Sequence, residues 1–138
     1  MGARDSKSAS VMILCTGGEA VHRMVGAAQA FGIDRALEVE HAARLSIIVE
    51  ELVCNLVDHG GVGEADLIEL VLTHDDGAVD IALSDCGIAF DLRHAESEEE
   101  IPERGGGAGI DMVRAWAEIV DYTSAAGRNR LLLKMSLN

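Results

Sequence analysis

The clearest pattern of apolar positions runs from Arg44 to Gly60. This stretch contains no proline and no glycine before its end. At about 3.6 residues per turn, its apolar residues cover a wider arc than a surface helix needs. The pattern predicts a helix that begins near His41 and is buried on most sides. We expect it to end at Gly60 and Gly61, where a left-handed cap costs little.

Shorter apolar patterns predict the other elements. In chain order these are a strand at 11–15, a helix at 19–31, strands at 66–74 and 78–84, a helix at 110–117, and strands at 120–123 and 130–137 around a turn at 125–129. The sequence Asp75-Asp76-Gly77 is typical of a hairpin turn. Hairpins pair strands antiparallel, so we predict an α+β fold, a two-layer α/β sandwich with the helices on one face of a mostly antiparallel sheet. Residues 1–10 are expected to be a disordered lead-in to a single domain at 11–138.

Composition narrows the possible functions. The chain has 138 residues, of which 49% are hydrophobic and only 3% aromatic, so one domain with an aliphatic core is expected. The formal net charge of −13 argues against direct nucleic-acid binding, whose electrostatic footprint is basic. The only lysines are Lys7 and Lys134, and neither follows a glycine-rich loop, which excludes a P-loop.

The cysteines and the N-terminus indicate a compartment. Cys15, Cys54 and Cys86 are far apart and odd in number, which argues against a disulfide framework or a zinc site and fits a reducing compartment. The polar first residues give no sign of a signal peptide, and no apolar run suggests a transmembrane span. We therefore expect a cytoplasmic protein with no membrane contact.

A polar stripe interrupts the long helix. Glu51, Asn55 and Asp58 lie on one face, and an unpaired buried carboxylate is costly. An asparagine oxygen suits Mg²⁺, and a carboxylate one turn away can orient or deprotonate a hydroxyl group. A polar seam that is satisfied by the backbone or lies at an exposed edge explains the stripe equally well.

Two further segments are candidates for ligand binding. Asp85 and Gly87 directly follow a strand, where a carboxylate can accept a hydrogen bond from an exocyclic amine and a glycine lets a planar ring approach the backbone. A strand-terminating turn uses the same residue types.

The glycine run at 105–109 opens onto a helix, where backbone amides bind anions, and Arg104 beside it is a candidate phosphate contact. A flexible hinge is the alternative for this run.

In order and spacing, these segments resemble the motifs of the GHKL ATPase superfamily (gyrase, Hsp90, histidine kinases, MutL), which has the Bergerat nucleotide-binding fold. The matching sequences are Glu51-Leu-Val-Cys-Asn55 with Asp58-His59-Gly60, then Asp85-Cys-Gly-Ile-Ala-Phe90-Asp91, then Gly106-Gly-Ala-Gly-Ile-Asp-Met-Val113, and the closing strand at 127–134. The resemblance covers nearly all of the chain from Val11 on. It is greatest to the anti-sigma-factor serine/threonine kinases.

The resemblance implies ATP with Mg²⁺ as the ligand. Asn55 would bind Mg²⁺, and Glu51 would be the general base acting on a serine or threonine of a partner protein. Asp85 would read the adenine amine, with Gly87 beside the ring. The other nucleotide-binding positions that it implies are His59, Gly60, Arg104, Gly105, Gly106, Gly107 and Gly109. Residues 92–104 would form a lid over the nucleotide.

The implied function is an ATP-dependent protein serine/threonine kinase that regulates transcription. It would phosphorylate an anti-anti-sigma (STAS-type) protein, sequester a sigma factor and form a homodimer. One alternative is a non-catalytic regulatory module in which ATP only stabilises a partner-binding state. Another is a histidine-kinase catalytic domain, whose dimerisation helix and phosphoacceptor histidine would then belong to a separate protein.

Overall fold

The structure is a computed structural model that describes residues 9–94 and 106–138. Its elements in chain order are β1 (Ala9–Thr16), α1 (Gly17–Asp34), α2 (Val39–His59), β2 (Leu67–Asp75), β3 (Ala78–Asp85), a 3₁₀ turn (Leu92–His94), α3 (Gly106–Trp116), β4 (Glu118–Ala125) and β5 (Arg128–Ser136). None of the helices in these two stretches is long and apolar enough to cross a membrane.

The five strands form one sheet in the order β1-β2-β3-β5-β4, and every neighbouring pair is antiparallel. Two hairpins, β2–β3 and β4–β5, supply four of the strands, and they join side by side through β3 and β5. This arrangement confirms the predicted α+β sandwich. It also places the end of β3 next to the start of β5, where the candidate site lies.

The core between the sheet and the helices is aliphatic, as the composition predicts. Inward-facing residues alternate along the strands because successive side chains point to opposite faces of a sheet. Those on β2 and β3 include Ile68, Leu70, Leu72, Val79, Ile81 and Leu83. They belong to the same cluster as the buried residues of α1 and α2, among them Met24, Leu45, Ile48, Val49, Leu52 and Val53. The opposite face of the sheet is open, and Met12 there is 61% exposed.

Helix α2 is buried over one broad face rather than on most sides. Ile47, Leu56 and Val57 are only half-buried, and Glu50 is exposed. The reason is that α2 lies in the outer layer of the sandwich, with one side against the sheet and another beside a cavity that Leu56 lines. The helix ends at His59, followed by Gly60 and by Gly61, whose φ of 74° is left-handed, so the predicted glycine end is confirmed.

The first strand and helix extend beyond their predicted limits. Strand β1 begins at Ala9 instead of residue 11, because Ala9 and Ser10 continue the pairing with β2. The expected lead-in therefore ends before Ala9, and residues 1–8 lie outside the described part of the chain. Helix α1 begins at Gly17 instead of residue 19 and ends at Asp34 instead of residue 31. The loop before β2 satisfies the first amides of α1, since Gly17 N and Gly18 N donate to carbonyl oxygens of that loop at 2.8 and 3.1 Å.

The last third of the described chain shows a similar extension. Helix α3 begins at Gly106 within the glycine run instead of at Ile110. The β4–β5 turn is shorter than the predicted turn at 125–129, because Ala126 and Gly127 both take left-handed φ values of 55° and 77°. Such a two-residue turn matches the twist of a hairpin. As a result, Asn129 belongs to β5 and not to the turn.

Candidate functional site

A cavity of about 320 Å³ lies between the second half of α2 and the ends of β3 and β5. Its size is within the range of small-molecule sites. Most of its lining is apolar, with polar groups from Asn55, His59, Asp85 and Tyr122. The full lining is Leu52, Asn55, Leu56, His59, Gly60, Leu83, Asp85, Ile88, Ala89, Phe90, Leu92, Tyr122 and Leu131. A mostly apolar wall with a few polar groups is typical of small-molecule binding sites.

Asp85 is the buried carboxylate of this cavity, with 5% of its surface exposed. Its Oδ1 accepts hydrogen bonds from Gly87 N at 2.7 Å and from Asn129 Nδ2 at 3.0 Å. Oδ2 accepts no hydrogen bond from any described residue. The side chain lines the cavity, so Oδ2 remains as an acceptor for a ligand.

Gly87 packs too closely for any side chain. A Cβ atom there would overlap the carbonyl oxygen of Gly60 and would lie 2.9 Å from a methyl group of Val62. Ile88 N also donates to the Gly60 oxygen at 2.7 Å. The turn after β3 is therefore docked onto the end of α2, which brings together Asp85, Gly87 and Gly60 as the motifs predict.

The polar stripe of α2 divides between two environments. Asn55 and His59, one turn apart, line the cavity. Glu51 is half-buried and is not among the lining residues. It lies instead against Gly109 of α3, where a Cβ atom would overlap Glu51 Oε1 and sit 3.1 Å from its Cγ. The first and third motifs are thus in contact through Glu51 and Gly109, while Asp58 is exposed.

For several predicted site residues, the structure describes no position or no surroundings. Arg104 and Gly105, and the predicted lid beyond the Leu92–His94 turn, lie outside the described residues. Gly106 and Gly107 form the start of α3, but nothing is described of their surroundings. Their assignment to the phosphates stays a prediction.

Asn129 is a buried polar residue that sequence reasoning missed, with 4% of its surface exposed. It lies directly opposite Asp85 in the pairing of β3 with β5. Its Nδ2 also donates to Gly87 O at 2.9 Å, and its Oδ1 accepts from Ser124 Oγ at 2.7 Å. The available signal was its position at the first inward-facing place of β5, in line with Leu131.

Two further contacts hold the segment that follows β3. Phe90 N donates to the Tyr122 hydroxyl at 2.8 Å, so β4 supports a residue of the cavity wall. Arg114 of α3 donates from Nε and an Nη atom to Leu92 O at 3.1 and 2.6 Å. The segment at 90–92 is therefore tied to β4 and to α3, and sequence spacing gave no sign of either contact.

The described residues contain no group of three or more His, Cys, Asp or Glu side chains placed to hold a metal ion. On the cavity wall, Asn55 supplies an amide oxygen that could be a protein ligand for a cation. That donor set fits Mg²⁺, which keeps several waters and binds phosphate oxygens in addition to one or two protein ligands.

Comparison with known proteins agrees with this geometry. The model of the histidine kinase-like ATPase domain family matches residues 18–135. No curated protein matches the chain significantly. Among solved structures, a histidine kinase domain from the Erythrobacter litoralis EL346 blue-light activated histidine kinase has a TM-score of 0.55 at 18% identity, over 88% of this chain and 61% of that one.

Two other structures show the same fold. The Erythrobacter litoralis EL346 blue-light activated histidine kinase has a TM-score of 0.59 at 17% identity, with 88% of this chain and 42% of that chain covered. The Acinetobacter baumannii histidine kinase AdeS has a TM-score of 0.50 at 14% identity, with 93% and 68% covered. The chain spans only 61% and 42% of the length of the two Erythrobacter chains, and these identities show a shared fold alone. With a family match over residues 18–135, the chain belongs to the histidine kinase-like ATPase domains of the GHKL superfamily.

Proposed function

We propose that this protein is an ATP-dependent serine/threonine kinase of the anti-sigma-factor type. It would phosphorylate an anti-anti-sigma (STAS-type) protein, bind a sigma factor and act as a homodimer. The observation that carries the proposal is that Asp85 and Asn55 line one cavity, while Glu51, one turn before Asn55, contacts the glycine-rich helix α3.

The Asp85 end of the cavity supports adenine binding. Oδ2 is an acceptor for the 6-amino group, and the apolar wall that includes Leu83 and Leu131 can cover the ring faces. A ring edge can approach the backbone at Gly87 because that position has no side chain.

The α2–α3 end supports the triphosphate. The amides at the start of a glycine-rich helix bind phosphate oxygens. Asn55 would contribute its amide oxygen to Mg²⁺, which neutralises charge on the phosphates when bound. Asn55 precedes His59 by one turn of α2, so the two side chains lie along the same side of the cavity.

Glu51 would act as the general base. Its carboxylate would accept the proton of a serine or threonine hydroxyl as the hydroxyl oxygen bonds to the γ-phosphorus. The bond between that phosphorus and the β–γ bridging oxygen breaks, and ADP leaves. A carboxylate in this position supports a hydroxyl acceptor, whose proton must be removed.

The test is phosphate transfer from labelled ATP to a cognate anti-anti-sigma protein in the presence of Mg²⁺. We expect an acid-stable phosphoserine or phosphothreonine on the partner. We also expect Glu51→Ala to reduce the rate by about a hundredfold or more, the usual size of a general-base contribution. Glu50→Ala, an exposed neighbour on α2, is the matched control and should retain the parent rate. Acid-labile phosphohistidine, or no transfer while ATP binding is intact, would overturn the serine/threonine assignment.

A non-catalytic regulatory module is the second candidate, and the position of Glu51 favours it. Glu51 lies against Gly109 and not on the cavity wall, a contact that can be purely structural. In that case Glu51→Ala would leave ATP-dependent partner binding unchanged, and the parent would transfer no phosphate. Measuring partner affinity with and without ATP, alongside the transfer assay, separates the two candidates.

A further inference from the structure

Asn129 uses every polar group of its side chain within the protein. The two Nδ2 hydrogens point to Asp85 Oδ1 at 3.0 Å and Gly87 O at 2.9 Å, and Oδ1 accepts from Ser124 Oγ at 2.7 Å. The residue is 4% exposed and is not part of the cavity lining. It therefore acts on a ligand only through Asp85 and Gly87.

The hydrogen bonds fix which way round the Asn129 amide lies. Gly87 O is a carbonyl and can only accept, so the group facing it must be the NH₂. With the amide in that orientation its oxygen faces Ser124, whose hydroxyl can donate to it. A flipped amide would place oxygen against two acceptors and leave its NH₂ facing the hydroxyl, with the loss of two hydrogen bonds.

These contacts also determine which carboxylate oxygen of Asp85 is available to a ligand in the cavity. Two N–H donors occupy Oδ1, so a proton on this carboxyl would have to sit on Oδ2. As a carboxylate oxygen, Oδ2 is an acceptor only, which suits an amine and leaves a carbonyl oxygen unpaired against it.

We propose that Asn129 is a positioning residue that makes the cavity beside Asp85 selective for a 6-amino purine over a 6-oxo purine. It holds Asp85 Oδ1 turned toward the backbone of Gly87 and Oδ2 turned toward the ligand, and Ser124 holds Asn129. This rests on the proposed nucleotide binding and assigns its purine selectivity to a residue behind the pocket wall.

Asn129→Asp tests the proposal because it replaces the donor by an acceptor of the same shape. Two carboxyl groups at hydrogen-bond distance cannot both stay ionised and share one proton instead. The shared proton lies between the two facing oxygens and not on Oδ2, while Gly87 O loses its donor, so Asp85 is no longer held with Oδ2 toward the ligand. The other titratable groups of the cavity wall are His59 and Tyr122, so the parent measured at the same pH values corrects for them.

The experiment measures the affinities of ATP and inosine triphosphate, with Mg²⁺, by calorimetry at about pH 6 and about pH 8. We expect the parent to prefer ATP at both pH values. Asn129→Asp should lower the ATP preference by about tenfold at both pH values, the value of one hydrogen bond to a charged group. Asn138→Asp, which adds the same charge at an exposed position, is the control and should match the parent.

Ser124→Ala provides an independent variant if Asn129→Asp does not fold. It removes the donor to Asn129 Oδ1, which loosens the amide without turning it over, and should weaken ATP binding by about threefold or more. An unchanged nucleotide ratio in Asn129→Asp overturns the inference, as does unchanged ATP affinity in Ser124→Ala. If the parent binds neither nucleotide, the proposed function itself is overturned, so the two failures are distinguishable.

Discussion

Because Gly109 has no side chain, α3 can pack closely against α2 at Glu51. The Glu51 carboxylate occupies the space that a Cβ atom on Gly109 would need. Any larger residue at this position must displace Glu51 or push the two helices apart. The glycine run therefore has a packing role at Gly109 in addition to the phosphate role that the resemblance implies for the run.

Gly109→Ala should reduce phosphate transfer by about tenfold or more, because a displaced base loses its alignment with the hydroxyl group. Affinity for adenosine, which lacks the phosphates, should change by less than about threefold, since Asp85 and the apolar wall are untouched. Initial transfer rates and calorimetric adenosine titrations measure the two quantities. Gly26→Ala is the matched control, because a Cβ atom there meets nothing within 4 Å and it is also inside a helix. A parent-like transfer rate in Gly109→Ala would contradict this account of Glu51.

Cys15 and Cys86 should differ sharply in reactivity. Burial raises the pKa of the Cys15 thiol, and nearby Glu19 adds to the rise while Arg23 opposes it. The pKa of the Cys15 thiol is higher in the folded protein than in the unfolded chain. The stability that comes from keeping this thiol protonated is therefore fully present below the unfolded pKa, and it is lost as the pH rises through the folded pKa. Iodoacetamide at about pH 8 should label exposed Cys86 first and leave Cys15 unmodified in the folded protein. Mass spectrometry of peptides reads the order, and rapid labelling of Cys15 would contradict its burial.

The motifs predicted part of the site at this scale. They placed Asp85, Gly87 and Gly60 together, because each motif carries a backbone constraint that can be read locally. They did not predict Asn129, whose position depends on the length of the β4–β5 turn. A short turn needs Ala126 at a φ of 55°, a conformation that alanine seldom adopts, and the sequence therefore favoured a longer turn.

At the scale of elements, the segment after β3 depends on support from both β4 and α3. The Tyr122 hydroxyl accepts from Phe90 N, and Arg114 donates to Leu92 O. These contacts join the wall of the cavity to two elements that are distant in sequence. The wall is therefore expected to be as rigid as the sheet that carries it.

Tyr122→Phe isolates one of these contacts, since it removes the hydroxyl and keeps the ring in the cavity wall. We expect the free energy of unfolding to fall by about 1 kcal/mol, because the Phe90 N–H loses its acceptor in a half-buried position. Urea unfolding measures the loss. Ser10→Ala removes an exposed hydroxyl that bonds Thr73 and should change stability by less than about 0.5 kcal/mol. Equal losses in the two variants would show that the Phe90 contact has no special weight.

The order and type of the elements were predictable, and their ends were less so. The strands and helices follow from the spacing of apolar residues. The start of α1 did not, because glycine pairs are poor helix formers. Gly17 is required there since a Cβ atom would overlap the carbonyl oxygen of Gly63, a contact that the folded loop creates. Long-range packing of this kind is invisible in a local pattern.

At the scale of the whole molecule, charge opposes the proposed ligand. The net charge is −13, and the described cavity wall includes a buried carboxylate and no lysine or arginine. An anionic nucleotide must therefore approach against a negative field. Mg²⁺ reduces this repulsion, as does screening by salt.

The association rate of Mg²⁺-ATP should therefore rise when NaCl increases from about 50 to about 300 mM at constant Mg²⁺, since the Debye length shortens. A fluorescent ATP analogue in stopped-flow experiments gives the rate directly. A rate that falls with salt would mean that a local positive field outweighs the net charge at the entrance of the cavity.

The central claim is that Asp85 accepts a hydrogen bond from the 6-amino group of a bound adenine nucleotide. Calorimetric titration of the parent, Asp85→Asn and Asp80→Asn with Mg²⁺-ATP tests it most directly. Asp80 lies on the same strand but outside the cavity, where its carboxylate pairs with Lys134 at 3.7 Å. We predict saturable ATP binding by the parent and by Asp80→Asn, and a loss of at least about tenfold in Asp85→Asn, because an amide donor would then face the adenine amine. No ATP binding by the parent, or equal affinity in Asp85→Asn, would contradict the account.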